Sequence, residues 1–538
     1  MTVHVAGDAP TRIGGVPAGA GPRPTENLVD HLRHWARWRP RHTAVRFEGR
    51  DISWAELAHS TDRLAAGLAG LGVRQGDTVA ILMGNRPEFV EAMLAILRLG
   101  AVVVPLNTRW TCAELLHPLE DCGARLVITD ASLAVTVGDA VARVGDVRLV
   151  AADPVEGLRT LSEVRAAGDR APEVAIAAGD PAFVCYTSGT TGFPKGAILT
   201  HGGIRAGGLA KVLAEGITHR DRLLIPVPLA ITGSCISLFM QMTLVPGATS
   251  VIVREFDAHH CLELVERERI SMMTGVPVVF ETMLRHPRID SIDLSSLWSL
   301  TSGGAPVPLE LLRAWQTRGV SMTQAYGLTE ACGGCAYLNA EDAERKLGSA
   351  GRPMLHTEIR VADEDGLDPG PGGIGEILVK GPSVMKGYLN RSEDTLATIV
   401  DGWLHTGDMG ILDDEGFLKV VDRRKDMIVS GGFNVYPAEV ERTLARLPGV
   451  AEMAVIGVPD PTWGEVPLLV VPDAASVDLE TLHAICAADL ADYKRPRYLV
   501  GHGGPLPRTL NGKIVKGDLR DRYRTLPPGI LDLKKRTS

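Results

Sequence analysis

The sequence predicts an α/β protein. A large N-terminal domain of two αβ-layered subdomains plus a small β-rich subdomain is followed by a small α+β C-terminal domain. Three observations carry this. The 538 residues exceed what one hydrophobic core ordinarily serves. Between residues 25 and 345, strand-length apolar runs alternate with amphipathic helical stretches, the pattern of a largely parallel sheet covered on both faces. Past residue 346 the texture changes to short strands and Gly/Pro turns. After a charged knot at 422–426, roughly a hundred residues carry strands and helices of their own.

In order, residues 1–24 are rich in Gly, Pro and Ala and read as a disordered tail. Leu28, Val29, Leu32 and Ala36 recur at helical spacing. Residues 78–82 form a strand run. Pro87 opens a helix with Phe89, Val90, Met93, Leu94 and Leu97 on one face, Gly100 ends it, and 101–105 is the next strand. Runs at 126–129 and 147–150 continue the pattern, closing a first subdomain at 25–180. In the second, 181–345, strands are expected at 182–185, 223–227, 250–253, 297–301 and 320–323. Residues 261–269 should be helical, and 272–278 should lead into a further helix. The β-rich subdomain, 346–422, has strands at 358–361, 375–379 and 417–421. The C-terminal domain, 429–525, has strands at 453–458 and 468–471 and helices at 437–447 and 479–490; 526–538 is a tail.

Composition limits the function. A net charge of −9 with 45% hydrophobic and 22% charged residues argues against nucleic acid as a partner. Every long apolar run is broken, by Arg98, by Pro226 and Pro228, or by Gln241, so no transmembrane segment is expected. A cytoplasmic enzyme, monomeric or homodimeric, is the expectation. Of the eight cysteines only Cys332 and Cys335 have pair spacing, with no second pair to complete a zinc site. Small side chains lining a cavity explain them better than redox chemistry.

The richest stretch is 186–201, which follows the apolar run 182–185. Three glycines and Pro194 exclude a helix through its middle. Thr187, Ser188, Thr190, Thr191 and Thr200 supply hydroxyls and Lys195 a cation. Gly189 and Gly192 let backbone N–H groups curl round an anion, which makes a phosphate cradle. It is not a Walker loop, because Pro194 precedes Lys195 and no Ser or Thr follows it. A flexible Ser/Thr/Gly linker would need neither the lysine nor the feeding strand.

Four further motifs follow: Gln324-Ala325-Tyr326-Gly327-Leu328-Thr329-Glu330; Trp403-Leu404-His405-Thr406-Gly407-Asp408; the knot with Ser430-Gly431-Gly432 after it; and Pro507-Arg508-Thr509-Leu510-Asn511-Gly512-Lys513. With the cradle, in this order over residues 25–525, they resemble the adenylate-forming superfamily of acyl-CoA synthetases, peptide-synthetase adenylation domains and luciferase. The acyl-CoA synthetases are the nearest branch.

The resemblance implies ATP, Mg²⁺ and CoA as cofactors and a small-molecule carboxylic acid as substrate. The acid attacks the α-phosphorus, pyrophosphate leaves, and a CoA thiol then displaces AMP. It implies that Ser188, Thr190, Thr191 and Lys195 hold the β- and γ-phosphates, within a loop that includes Thr187, Gly189 and Gly192. Thr329 touches the α-phosphate and Glu330 supports the metal. Tyr326 lies on the adenine, with Gly303, Gly304 and Ala305 along its edge and Gln324, Ala325 and Gly327 in the same motif. Asp408 takes the ribose hydroxyls, joined by Arg423. Lys513 bridges the substrate carboxylate and the α-phosphate. Lys425 falls at the hinge, 423–428, about which the C-terminal domain turns to bring Gly431 and Gly432 to the CoA tunnel.

The chain departs from the family in two places. Ala230 and Ile231 stand where many members have an aromatic-His pair, and Glu255 stands where a basic residue faces the CoA phosphates. With Thr232, Gly233 and Gly333, the small residues at 230–233 imply a roomy acyl pocket for a bulky or unusual acid of secondary metabolism. The alternative is a non-adenylating variant that only thioesterifies a supplied acyl-adenylate.

Overall fold

The computed structural model describes residues 27–187, 194–303, 307–430, 433–509, 512–527 and 530–534. It divides into two compact units. One reaches Ile359 and includes Val379–Leu404; the other comprises Arg360–Leu378 and the chain from His405. The charged knot at 422–426, expected near a domain boundary, lies inside the second unit. No described helix is long and apolar enough to cross a membrane.

Among the described residues the first unit holds two large sheets. The eight-stranded one runs Gly387–Tyr388, Lys195–Thr200, Pro181–Thr187, Val102–Pro105, Thr78–Leu82, Leu126–Thr129, Arg148–Ala151, Arg159–Thr160. It is parallel except where Lys195–Thr200 pairs with its neighbours. Thr78–Leu82 and Val102–Pro105 are buried at every position, which is why they read as unbroken apolar runs rather than alternating ones. The nine-stranded sheet runs from Arg352–Pro353 through Gly333–Leu338, Ser321–Leu328, Ser299–Gly303, Met272–Gly275, Arg222–Ile225, Thr249–Ile252 and Thr43–Phe47 to Arg50–Ser53.

Sheet membership crosses the sequence division at 180/181. The Thr43–Phe47 strand pairs with Thr249–Ile252, while Pro181–Thr187 pairs with Val102–Pro105. Hydrogen bonding between remote strands decides this, and local pattern cannot report it. Residues 272–275 are a strand, and the expected helix starts only at Pro277, where the missing proline N–H costs nothing. The stretch 195–200 is also a strand, so both described flanks of the cradle motif are antiparallel strands.

His201 is fully buried just past the second of these strands. Its Nδ1 accepts the Leu28 N–H at 3.3 Å, so the neutral ring ties the start of the described chain to the cradle motif. Burial, with a smaller contribution from Arg205, lowers its pKa to about 3.

The second unit is built on a six-stranded sheet whose longest strand is Gly464–Val471. Alternation along it serves two cores. Leu469 and Val471 meet Val440, Leu444 and Leu482, while Leu468 and Val470 meet Ile456, Leu519 and Tyr523. Helix Pro437–Leu444 begins where the sequence places it. The Asp422 carboxylate accepts from Ala438 N and Arg423 N, both at 2.7 Å, and so ties the charged knot to the helix start. The helix stops before 447, yet Leu447 still reaches the core.

The unfolded chain binds a proton at His201 near the ordinary 6.5, whereas the folded chain resists it until about 3. Stability from this group is complete above the unfolded value. It is expected to fall by up to about 1.4 kcal/mol per pH unit as the pH drops through that window. His201→Asn should flatten this slope, read by denaturant unfolding at several pH values between neutrality and about pH 4.

Candidate active site

Thr187 and Lys195 are register partners at the end of the Pro181–Thr187/Lys195–Thr200 hairpin. Ser188, Gly189, Thr190, Thr191 and Gly192, between them, lie outside the described residues. Helix Cys112–Cys122 grips both flanks. Tyr186 donates its hydroxyl hydrogen to Asp121 Oδ2 at 2.8 Å and Pro118 O at 3.2 Å. His117 Nε2 lies 3.1 Å from Pro194 O, an acceptor only, so that nitrogen carries the proton.

Beside the hairpin, Glu330 Oε1 accepts from Tyr388 Oη at 2.9 Å and Thr187 Oγ1 at 3.3 Å. Lys195 Nζ pairs with Asp394 Oδ1 at 2.7 Å and lies 5.4 Å from the centre of the Tyr388 ring. The structure therefore brings Thr187, Lys195 and Glu330 together through two residues sequence reasoning missed, Tyr388 and Asp394. No periodicity links positions 199 residues apart; only the antiparallel pairing of Gly387–Tyr388 with Lys195–Thr200 does so.

Strands Ser299–Gly303 and Ser321–Leu328 run parallel with Gly303 opposite Ala325, bringing these two predicted residues together; Gly304 and Ala305 lie outside the described residues. Gln324 Oε1 accepts the Val307 N–H at 3.0 Å. Tyr326 is buried. Between it and Gly327 the pairing with Gly333–Leu338 bulges. A Cβ on Gly327 would stand 2.0 Å from the Gly333 carbonyl oxygen, so only glycine permits this approach.

Thr329 Oγ1 donates to Thr232 Oγ1 at 3.2 Å, joining the nucleotide motif to the acyl segment. There Ala230 is buried, Ile231 and Thr232 are half-buried, and Gly233 opens on free space. Gly233–Leu244 is a π-helix, a rare form common at functional sites and without a signal in the apolar pattern. Gly333, at φ +106°, fits under it: a Cβ would meet Ser237 Oγ at 2.4 Å. Gln241 Nε2 donates to Cys332 O at 2.7 Å. Cys332 and Cys335 are buried free thiols.

In the second unit Asp408 and Arg423 are register partners, with Arg423 Nε 3.1 Å from Asp408 Oδ1. Glu376, unnoticed in the sequence, orients this turn: Oε1 accepts Gly407 N at 2.9 Å and Oε2 lies 3.0 Å from His405 Nδ1. Lys425 lies in the 3₁₀ turn Arg424–Asp426, where its carbonyl accepts Arg520 Nη1 at 2.7 Å. Lys513 closes a tight turn on Thr509, whose hydroxyl accepts the Lys513 N–H at 3.1 Å. The Lys513 residue is exposed, yet desolvation around its ammonium, then Arg423, push its pKa below the ordinary lysine value, against the pull of Asp408 and Asp426. Gly431 and Gly432 lie outside the described residues.

Glu330 suits Mg²⁺. It is a half-buried carboxylate with hydroxyl donors and, among the described residues, no cationic partner. Among those residues no cluster of three or more His, Cys, Asp or Glu could hold a metal alone. One carboxylate completed by phosphate oxygens is how Mg²⁺ is commonly bound.

Fold and site together define an adenylate-forming enzyme. The chain belongs to the AMP-binding enzyme family, which matches residues 32–389, with the family's C-terminal domain matching 439–513. It is 42% identical to a feruloyl-CoA synthase of Amycolatopsis sp over 490 residues, 91% of this chain and 97% of that one. It is 40% identical to an indoleacetate–CoA ligase of Aromatoleum aromaticum over 500 residues, 92% and 97% of the two chains. The o-succinylbenzoate CoA synthetase of Bacillus subtilis, solved with its acyl-adenylate, superposes with a TM-score of 0.81 at 36% identity, covering 91% of this chain and 98% of that one. The same enzyme has been solved with ATP and magnesium. The protein is an acid–thiol ligase that joins a carboxylic acid to CoA through an acyl-adenylate, using ATP, Mg²⁺ and CoA. The non-adenylating alternative is not favoured by these relatives.

Gly327→Ala is expected to destabilise the first unit by about 1–3 kcal/mol, because backbone must move. It should also raise KM for ATP; thermal unfolding and ATP kinetics measure the two effects.

Proposed function

We propose that this ligase activates a bulky or unusual carboxylic acid of secondary metabolism, in the cytoplasm. The observation that carries the reading is the mouth of the acyl segment, where Ala230 and Ile231 stand at the place of the family's aromatic-His pair and Gly233 faces open space. Feruloyl and indoleacetate, the aryl groups named for two relatives, support a wide pocket. Eight free cysteines fit a reducing compartment. A panel of free acids assayed with ATP, Mg²⁺ and CoA tests this. Turnover should favour ring-bearing acids, and a preference for short straight-chain acids would overturn it.

The residues divide the work. Lys195, with Thr187 beside it and Ser188, Thr190 and Thr191 in the intervening sequence, neutralises the β- and γ-phosphates. Glu330 would hold Mg²⁺, which supplies charge neutralisation on the phosphates. Thr329 positions the α-phosphate, and Tyr326 with Gly303 borders the adenine. The acid's oxygen attacks the α-phosphorus as the bond to the β-phosphate oxygen breaks, and Lys513 stabilises the charge on the reacting groups. Asp408 and Arg423 hold the ribose. Turning at Lys425 then exchanges Lys513 for the Gly431-Gly432 segment, and the CoA sulfur attacks the acyl carbon as AMP leaves.

Pyrophosphate release from acid, ATP and Mg²⁺ without CoA should be brisk; its absence would revive the variant that only thioesterifies. Lys513→Ala should slow that release by about a hundredfold or more, while thioester formation from supplied acyl-adenylate and CoA persists. Because the Lys513 pKa is lowered, adenylation should decline with rising pH below the ordinary lysine range. Lys513→Arg should remove that alkaline limb, read from the pH–rate profile of pyrophosphate release.

A further inference from the structure

The Lys195–Asp394 pair is not accounted for by the roles above. Asp394 lies in the first turn of helix Ser392–Thr398, directly after the Gly387–Tyr388 strand. That segment is closed on itself. Tyr388 N donates to Thr395 Oγ1 at 2.8 Å, Thr395 Oγ1 donates to Arg391 O at 2.8 Å, and a Cβ on Gly387 (φ +147°) would meet Thr395 Cγ2 at 2.6 Å. Asp394 is thus delivered by a fixed turn, and its carboxylate meets Lys195 Nζ at 2.7 Å, with the lysine side chain 12% and the aspartate 33% exposed. The next carboxylate, Glu393, is exposed, and among the described residues it has no partner.

We propose that Asp394 is a positioning residue that tunes how tightly Lys195 holds phosphate. This rests on the reading of Lys195 as the β/γ-phosphate lysine. An ammonium has three donors. One directed to Asp394 orients Nζ, but it also places a fixed negative charge beside any phosphate that Lys195 contacts. Like charges at that range repel, and the half-buried setting screens the repulsion less than open water would. Asp394 therefore weakens the hold on the β- and γ-phosphates of ATP and, by the same interaction, on the pyrophosphate that leaves. Tight retention of pyrophosphate would slow turnover and favour reversal, so the carboxylate trades affinity for release.

Steady-state kinetics on the full chain test this. Asp394→Asn should lower KM for ATP and the pyrophosphate inhibition constant together, each by about threefold, a size suited to a partly exposed ion pair. KM for the acid and the thermal midpoint should stay unchanged, which a merely structural loss would not do. Asp394→Glu should restore wild-type values, and Glu393→Gln should leave them alone. Lys195→Met should raise KM for ATP, and adding Asp394→Asn to it should lower KM part of the way back, since the repulsion between carboxylate and phosphate remains when the ammonium is gone. If Lys195→Met leaves KM for ATP untouched, the phosphate role of Lys195 falls and the inference with it. If Lys195→Met raises KM but Asp394→Asn raises it too, or leaves both constants unchanged, the role of Lys195 stands and Asp394 is no tuner of release.

Discussion

The antiparallel pairing of Lys195–Thr200 is the constraint on which the site depends. One edge of this strand pairs with Pro181–Thr187 and sets Thr187 opposite Lys195. Its other edge pairs with Gly387–Tyr388 and brings in Tyr388, then Asp394. A slip of one residue would turn Lys195 to the opposite face and separate it from both. The grip of helix Cys112–Cys122 on Tyr186 and Pro194 secures the same register from the flanks.

Charge is distributed round that strand with a purpose. Glu330 is held by neutral hydroxyls, which orient a carboxylate without neutralising it. Lys195 has an anionic partner and an aromatic face. In the second unit Asp408 is ion-paired with Arg423, and desolvation, with a smaller contribution from the same guanidinium, lowers the Lys513 pKa. A carboxylate kept available for a cation and lysines tempered by neighbours suit a reaction whose main demand is to manage phosphate charge.

The acyl side is governed by backbone shape instead. Gly327 and Gly333 are glycines because a carbonyl and a serine hydroxyl occupy the space a Cβ would need. The π-helix Gly233–Leu244 presses on Gly333 through Ser237 and on Cys332 through Gln241. The Thr329–Thr232 hydrogen bond links this wall to the nucleotide motif.

The sequence by itself determined the family, the alternation of buried strands and covering helices, and the motif residues. Each of these is local: unbroken apolar runs mark strands buried on both faces, and glycine, hydroxyl and lysine spacing marks an anion loop. Thr187 and Lys195 stood out in this way, whereas Thr329, Glu330, Asp408 and Lys513 came forward only through the family's motifs. Only the tertiary structure decided that residues 43–53 leave the first sheet for the second, that 195–200 is a strand, and that 233–244 winds as a π-helix. It alone supplied Tyr388, Asp394 and Glu376, the partners that orient the motif residues. The physical reason is that strand pairing and side-chain hydrogen bonds join positions far apart in the chain. Their energy depends on which surfaces meet, and that is written in no single stretch of sequence.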